Sequence, residues 1–230
     1  MIAENLRRVQ ERIDAACRQA GRSPAEVTLV GISKSFPASA VVAAYAAGLR
    51  DMGENRVQEA AAKIPSAAAQ GATPRWHLVG HLQSNKVKTA LELFDIIHSV
   101  DSLRLAQAIS RQATKPAPVL LEVNVSGEES KFGLRPEELA ETLAQARSLP
   151  NVDVRGLMTV APQVADAEAV RPVFRRLREL AQALGLPELS MGMSDDFEVA
   201  VEEGSTMIRI GRAIFGPRVE LLEAARPRTE

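Results

Sequence analysis

The chain has 230 residues, 46% hydrophobic and 25% charged, which suits one globular domain with a sizeable core. A net charge of −1 supplies no basic field for nucleic acid or anionic lipid, and 3% aromatics leave little for base stacking. The lone cysteine, Cys17, excludes an internal disulfide and falls on an apolar helical stripe, where it reads as a small packed hydrophobe.

In chain order, Ile2, Leu6, Val9, Ile13 and Cys17 recur at three- and four-residue steps and predict a helix over about 2–20, stopped by Gly21 and Pro24. A β-branched run, Val27–Lys34, follows. Pro37 then opens a helix with Val41, Val42 and Tyr45 inward, ending at Gly48. Further strand-like runs are Asp51–Asn55, Trp76–Gly80, Ile96–Val100, Val119–Asn124, Val154–Val160, Leu189–Ser194 and Met207–Gly211. Helical patterns lie between them: one near Leu103–Ala113, one opened by Pro136, and one with Val170, Phe174, Leu177, Ala181 and Leu184 on a single face before Gly185 and Pro187. The stretch Ala67–Pro74 reads as a single connection.

Eight apolar runs without strict alternation, each followed by a helix-length segment, predict an α/β chain: a single (β/α)8 TIM-type barrel with an extra N-terminal helix. An open doubly wound sheet is the competing arrangement. The barrel should span about 27–217 of a one-domain chain, with a fraying tail at 224–230. The start MIAENLRRVQ does not read as a signal peptide, and no apolar run is long enough to cross a bilayer. The expectation is a cytoplasmic protein that binds neither membrane nor nucleic acid and works as a monomer rather than a dimer.

Barrel active sites occupy the C-terminal ends of the strands. That rule nominates Lys34, Glu54–Asn55, Gly80–His81, Ser99–Asp101, Asn124, Met158–Thr159, Met193–Ser194 and Arg209–Gly211. Lys34 fits two roles: a lysine snorkelling at the rim, or a desolvated amine that attacks an aldehyde. Ser194 and Gly211 stand where such barrels often bind phosphate, yet an N-cap and a tight turn explain them equally well. Asp195 and Asp196 would repel an anion unless they point away and stabilise the helix start. Arg209 shares a strand face with Gly211 and needs a partner, either a neighbouring carboxylate or the ring nitrogen of a cofactor. Met158 is either core or a packing surface for a ring. His77 and His81 lack the further ligands of a metal set, and His98 stands alone without a metal or triad signal.

The segments VGISKSFP, AYAAGLRDMGENRVQEAAAK, RWHLVGHLQSNK, IIHSVDS, LLEVNVSGEESKFGL, VRGLMTV and SMGMSDDFEVAVEEGSTMIRIGRAIFG together resemble the pyridoxal 5'-phosphate (PLP) homeostasis protein family, itself similar to the barrel domain of alanine racemase. The resemblance runs from about Val27 to Pro217. It implies PLP held as a Schiff base on Lys34, with Asn55 close by and Met158 beside the ring. Ser194 and the Gly211–Arg212 backbone would hold the phosphate, and Arg209 would face the ring nitrogen. Met52 stands where the family more often has an aromatic residue. The family is regarded as a manager of vitamin B6 supply, handing PLP to apo-forms of PLP enzymes, without demonstrated catalysis. Two-base racemisation needs a second base opposite the lysine, and the one tyrosine, Tyr45, lies on the helix after strand one. A weak PLP-dependent racemase and a cofactor-free barrel for a phosphorylated sugar remain as alternatives.

Overall fold

A computed structural model describes residues 1–128 and 131–217. Eight parallel strands close on themselves in the order β1 to β8. They are β1 (Thr28–Ile32), β2 (Asp51–Glu54), β3 (Arg75–Leu78), β4 (Ile96–Val100), β5 (Ala117–Glu122), β6 (Val152–Met158), β7 (Glu188–Ser190) and β8 (Met207–Ile210). The seam closes where Val30 pairs with Arg209 on one side and with Asp51 on the other. The expected barrel is therefore observed, and the open sheet is ruled out.

Helix α1 (Ile2–Gln19) precedes the barrel, and α2 (Ala38–Ala46), α3 (Val57–Ala69), α4 (Val87–Leu93), α5 (Leu103–Gln112), α6 (Leu139–Arg147), α7 (Arg171–Ala183), α8 (Phe197–Glu202) and α9 (Arg212–Phe215) follow successive strands. Leu6, Val9, Ile13 and Cys17 are buried on α1, which packs against α2, α8 and α9 across the β8–β1 seam. Burial pushes the Cys17 thiol up, as befits a packed residue. On α2 the inward face is Val41 and Ala44, with Val42 and Tyr45 only partly covered. The stretch from Ala67 is not all connection, because α3 continues through Pro65 to Ala69. Its proline sits in an otherwise regular pattern, which hid the last turn from a reading based on Ala, Gly and Pro content. The expected tail at 224–230 lies outside the described residues.

Two apolar layers form. The larger lies between sheet and helices and includes Phe174, Phe197, Leu121, Leu157 and Ile208. A smaller one, Leu120, Met158 and Met207, lies apart from it, with Val160 packed alongside. Asp51, His77, His98, Ser190 and Arg209, from five strands, are also buried and are hydrogen-bonded to one another. A barrel interior is ordinarily filled by branched apolar side chains, so this polar line is unusual. No helix among the described residues is long and apolar enough to cross a membrane.

Candidate functional site at the C-terminal mouth of the barrel

Lys34 stands two residues past the end of β1, in a turn, and is half-buried. The residues on either side of it are held by charged groups. Ser33 is fully buried; its hydroxyl donates to Glu54 Oε1 at 2.5 Å and its carbonyl accepts from Lys63 Nζ at 2.7 Å. Ser35 takes a left-handed φ of 67°, and its N–H donates to Glu59 Oε1 at 2.6 Å. Lys63 also reaches Glu54 at 2.7 Å and Glu59 at 2.8 Å, so three acceptors surround one buried ammonium. Burial raises the Glu54 carboxyl despite Lys63 and Ser33. For Glu59, burial is outweighed by the Lys63 and Ser35 hydrogen bonds, and the carboxyl is lowered. A four-part clamp thus fixes the backbone that carries Lys34. None of Ser33, Glu59 or Lys63 was nominated by the strand-end rule; the available signal was that Glu54, Glu59 and Lys63 straddle a strand-to-helix junction.

Asn55 follows β2 directly and lies against Gly80, where a Cβ would fall 2.3 Å from the Asn55 carbonyl oxygen. Only a glycine permits that approach. Ser99 Oγ donates to the Gly80 carbonyl at 2.7 Å, tying the ends of β2, β3 and β4 together.

Met158 ends β6 and is fully buried in the small cluster with Leu120 and Met207. Its register partner on β5 is Glu122, a buried carboxyl. Burial pushes Glu122 up to about 7; Asp101 adds to the rise and Arg209 opposes it. Arg209 is itself 5% exposed. Burial lowers it to about 10, against the pull of Asp196 and Glu122, so it remains a cation at neutral pH. Among the described residues it has no ion pair with a neighbouring strand. Its NH1 donates to Ser190 Oγ at 2.6 Å and its NH2 to the Thr159 carbonyl at 2.8 Å.

Ser194 does not cap α8. The cap residue is Asp196, whose Oδ1 accepts from the Met193 N–H at 2.5 Å. β7 ends at Ser190, earlier than expected, so Ser194 sits in the loop, and its hydroxyl accepts from the Ala213 N–H at 3.4 Å. Ser194 and the backbone of residues 211–213 therefore converge. A Cβ on Gly211 would lie 3.3 Å from the Ile32 carbonyl, so the absent side chain lets the β8 end close against β1 beside Lys34. The Arg212 side chain turns outward to the exposed Asp195, leaving only its backbone facing Ser194. Both aspartates are thereby engaged, Asp195 with Arg212 and Asp196 in the turn.

His98 does not stand alone: it joins His77 to Ser190. His81 pairs with Asp101 at 3.0 Å and stacks on Phe132. No metal-ligand cluster occurs among the described residues. The C-terminal strand ends and the loops after them thus carry a lysine, a hydroxyl beside a backbone amide, a buried guanidinium and a buried methionine. That donor set fits a phosphorylated aromatic aldehyde.

The chain matches the alanine racemase N-terminal domain family over residues 2–219 and belongs to it. A solved alanine racemase from Clostridium difficile shares the barrel, with a TM-score of 0.68 at 16% identity, covering 93% of this chain and 57% of that one. Within that class the chain is similar to proteins named pyridoxal phosphate homeostasis protein. The one from Pseudomonas aeruginosa is 48% identical over 94% of this chain and 96% of its own length. PipY of Synechococcus elongatus, solved with PLP bound, superposes with a TM-score of 0.79 at 41% identity, covering 94% of this chain and all (100%) of that one.

Proposed function

We propose that this chain binds PLP as a Schiff base on Lys34 and buffers the cofactor, passing it to apo-forms of PLP enzymes. The observation that carries this reading is the clamp. A buried Lys63 and two glutamates are committed to fixing one short turn, and the side chain which that turn presents at the barrel mouth is Lys34. Support comes from the names of relatives 40–48% identical and from the PLP-bound PipY. PLP supplies a reactive aldehyde, and the protein's part is to hold and orient it. In this reading Ser194 and the Gly211–Arg212 backbone take the phosphate, Met158 packs beside the ring, and Asn55 lies close to the lysine. Arg209 donates to the ring nitrogen and, as a cation at neutral pH, keeps that nitrogen unprotonated. An unprotonated ring is a poor electron sink, which suits storage rather than turnover. Tyr45 supports the same conclusion. It sits near the end of α2 that leads into β2, away from the strand ends, with its hydroxyl 3.4 Å from Thr73.

One observation favours a second reading, a weak racemase: the Glu122 carboxyl, with a pKa near neutrality, lies beside Met158 and could move a proton. Incubation with PLP, borohydride reduction and peptide mapping test the main reading, with the label expected on Lys34 and lost in Lys34→Ala. A colourless protein of unaltered mass would sink it, and a label on Lys131 would move the attachment. Exchange of the α-proton of amino acids at enzyme-like rates would favour the second reading over the first.

A further inference from the structure

Four hydrogen bonds cross the interior from β8 to β2: Arg209 NH1 to Ser190 Oγ at 2.6 Å, Ser190 Oγ to His98 Nδ1 at 2.8 Å, His98 Nε2 to His77 Nδ1 at 2.9 Å, and His77 Nε2 to Asp51 Oδ1 at 3.0 Å. Asp51 Oδ1 also accepts from Arg75 at 2.7 Å. His77, His98 and Ser190 are completely buried. The two ends of the line dictate where every hydrogen lies. A guanidinium only donates and a carboxylate only accepts, so Ser190 Oγ accepts from Arg209 and His77 Nε2 donates to Asp51; with one hydrogen on each ring, the Ser190 hydrogen then points to His98 Nδ1. That nitrogen must then carry a lone pair, which puts the His98 proton on Nε2. His77 Nδ1 accepts it, and the His77 proton on Nε2 points to the Asp51 carboxylate. Reversing the line needs either an extra proton on His77 or a bare imidazole nitrogen facing a carboxylate. Asp51 is an anion here: burial raises its carboxyl, but the His77 and Arg75 hydrogen bonds outweigh this and lower it. Burial, with His77 and Arg209 nearby, drives His98 well below its ordinary value and keeps it neutral.

We propose that Ser190, His98 and His77 form a polarised strut that positions Arg209 and sets how firmly it donates to the ring nitrogen of the bound cofactor. The inference rests on the reading of Arg209 given above. The strut gives Arg209 a neutral acceptor in place of a carboxylate, so its charge stays directed at the mouth. Its counter-charge, Asp51, sits on β2 beside Arg75. The other charged groups around the line are Glu188, which faces His77 and Arg75, and Glu122 and Asp196, which act on Arg209 through space. Without the Ser190 hydroxyl, NH1 is released toward Glu122 or Asp196. The ring nitrogen then loses a firm donor and takes a proton itself, which makes a protonated Schiff base less favourable by like-charge repulsion.

Two measurements test this. In the cofactor-free protein, long-range 15N–1H NMR of the histidine rings should show His77 and His98 both protonated on Nε2 alone at neutral pH. An Nδ1–H form or an imidazolium at either position overturns the strut. In the PLP-loaded protein, Ser190→Ala should lower the midpoint of the Schiff-base absorbance titration by about one pH unit. Ser190→Thr, which keeps the hydroxyl, and His98→Gln, whose amide both accepts and donates, should restore the wild-type midpoint. An unchanged midpoint in Ser190→Ala, with the label still on Lys34, overturns the proposal. Failure to trap anything on Lys34 in the wild type overturns the cofactor reading instead, and the NMR result, which needs no cofactor, tells the two failures apart.

Discussion

Lys63 and Arg209 are both buried cations of the same barrel, and their surroundings are opposite. Lys63 is enclosed by Glu54, Glu59 and the Ser33 carbonyl, all within 2.8 Å. Among the described residues Arg209 donates only to neutral oxygens, Ser190 Oγ and the Thr159 carbonyl, while Glu122 and Asp196 act from a distance. A buried ammonium between two carboxylates has its field cancelled locally and serves to fix backbone. A buried guanidinium on neutral acceptors keeps a field that something else can use. Burial of a basic side chain therefore does not by itself mark it as functional; the charge of its acceptors separates the two cases.

The largest expected effect breaks the cancelled site. Lys63→Met leaves Glu54 buried beside Ser33 without its counter-ion, and urea unfolding should show a loss of about 3–5 kcal/mol. Borohydride labelling of Lys34 should fall with it, since the turn loses its anchor. Unchanged stability would mean that the clamp is decorative.

Glu122 sharpens the other half of the contrast. Its folded value of about 7 lies above the ordinary 4.5, so between those limits the native protein holds a proton that the unfolded chain has released. Its contribution to stability is complete below about pH 4.5 and is lost as pH rises through about 7. Glu122→Gln should therefore match the wild type near pH 4 and exceed it by about 3 kcal/mol at pH 8. Equal stability curves across that range would show that Arg209 pairs with a fully ionised Glu122.

Gly80→Ala probes the same mouth without touching a charge. The new Cβ would meet Asn55 backbone rather than a flexible side-chain tip, so a loss of about 1–3 kcal/mol is expected in thermal melts. The exposed Arg176–Glu179 pair, 3.6 Å apart, supplies the baseline. Glu179→Ala should cost no more than about 0.5 kcal/mol, and a larger loss would blur the distinction between buried and exposed pairs.

The barrel was legible because eight apolar runs and their intervening helical stripes are local patterns. The strand-end rule was legible for the same reason, and it placed Lys34, Asn55, Met158 and Arg209 at the mouth where the structure has them. Contacts set by closure of the ring were not legible. His98 and Ser190 are 92 residues apart in sequence, and they meet because β4 and β7 face each other across the interior. The sequence left Ser194 open between a phosphate ligand and an N-cap; it does not cap α8, because Asp196 stands nearer the helix start and takes the turn. Lys63 carried no signal as an interior charge, since a lysine in an alanine-rich helix normally faces water.

Glu59 and Lys63 stand one turn apart on α3, and that spacing bears on engineering. Helix and lysine turn are linked by side chains from a neighbouring βα unit, so the segment GISKSFP is not a portable module. Grafted alone onto another eight-stranded scaffold, it would lack the partner that holds Ser35 in its left-handed conformation, and the turn would relax. A transplant has to carry the next strand and the first two turns of its helix as well.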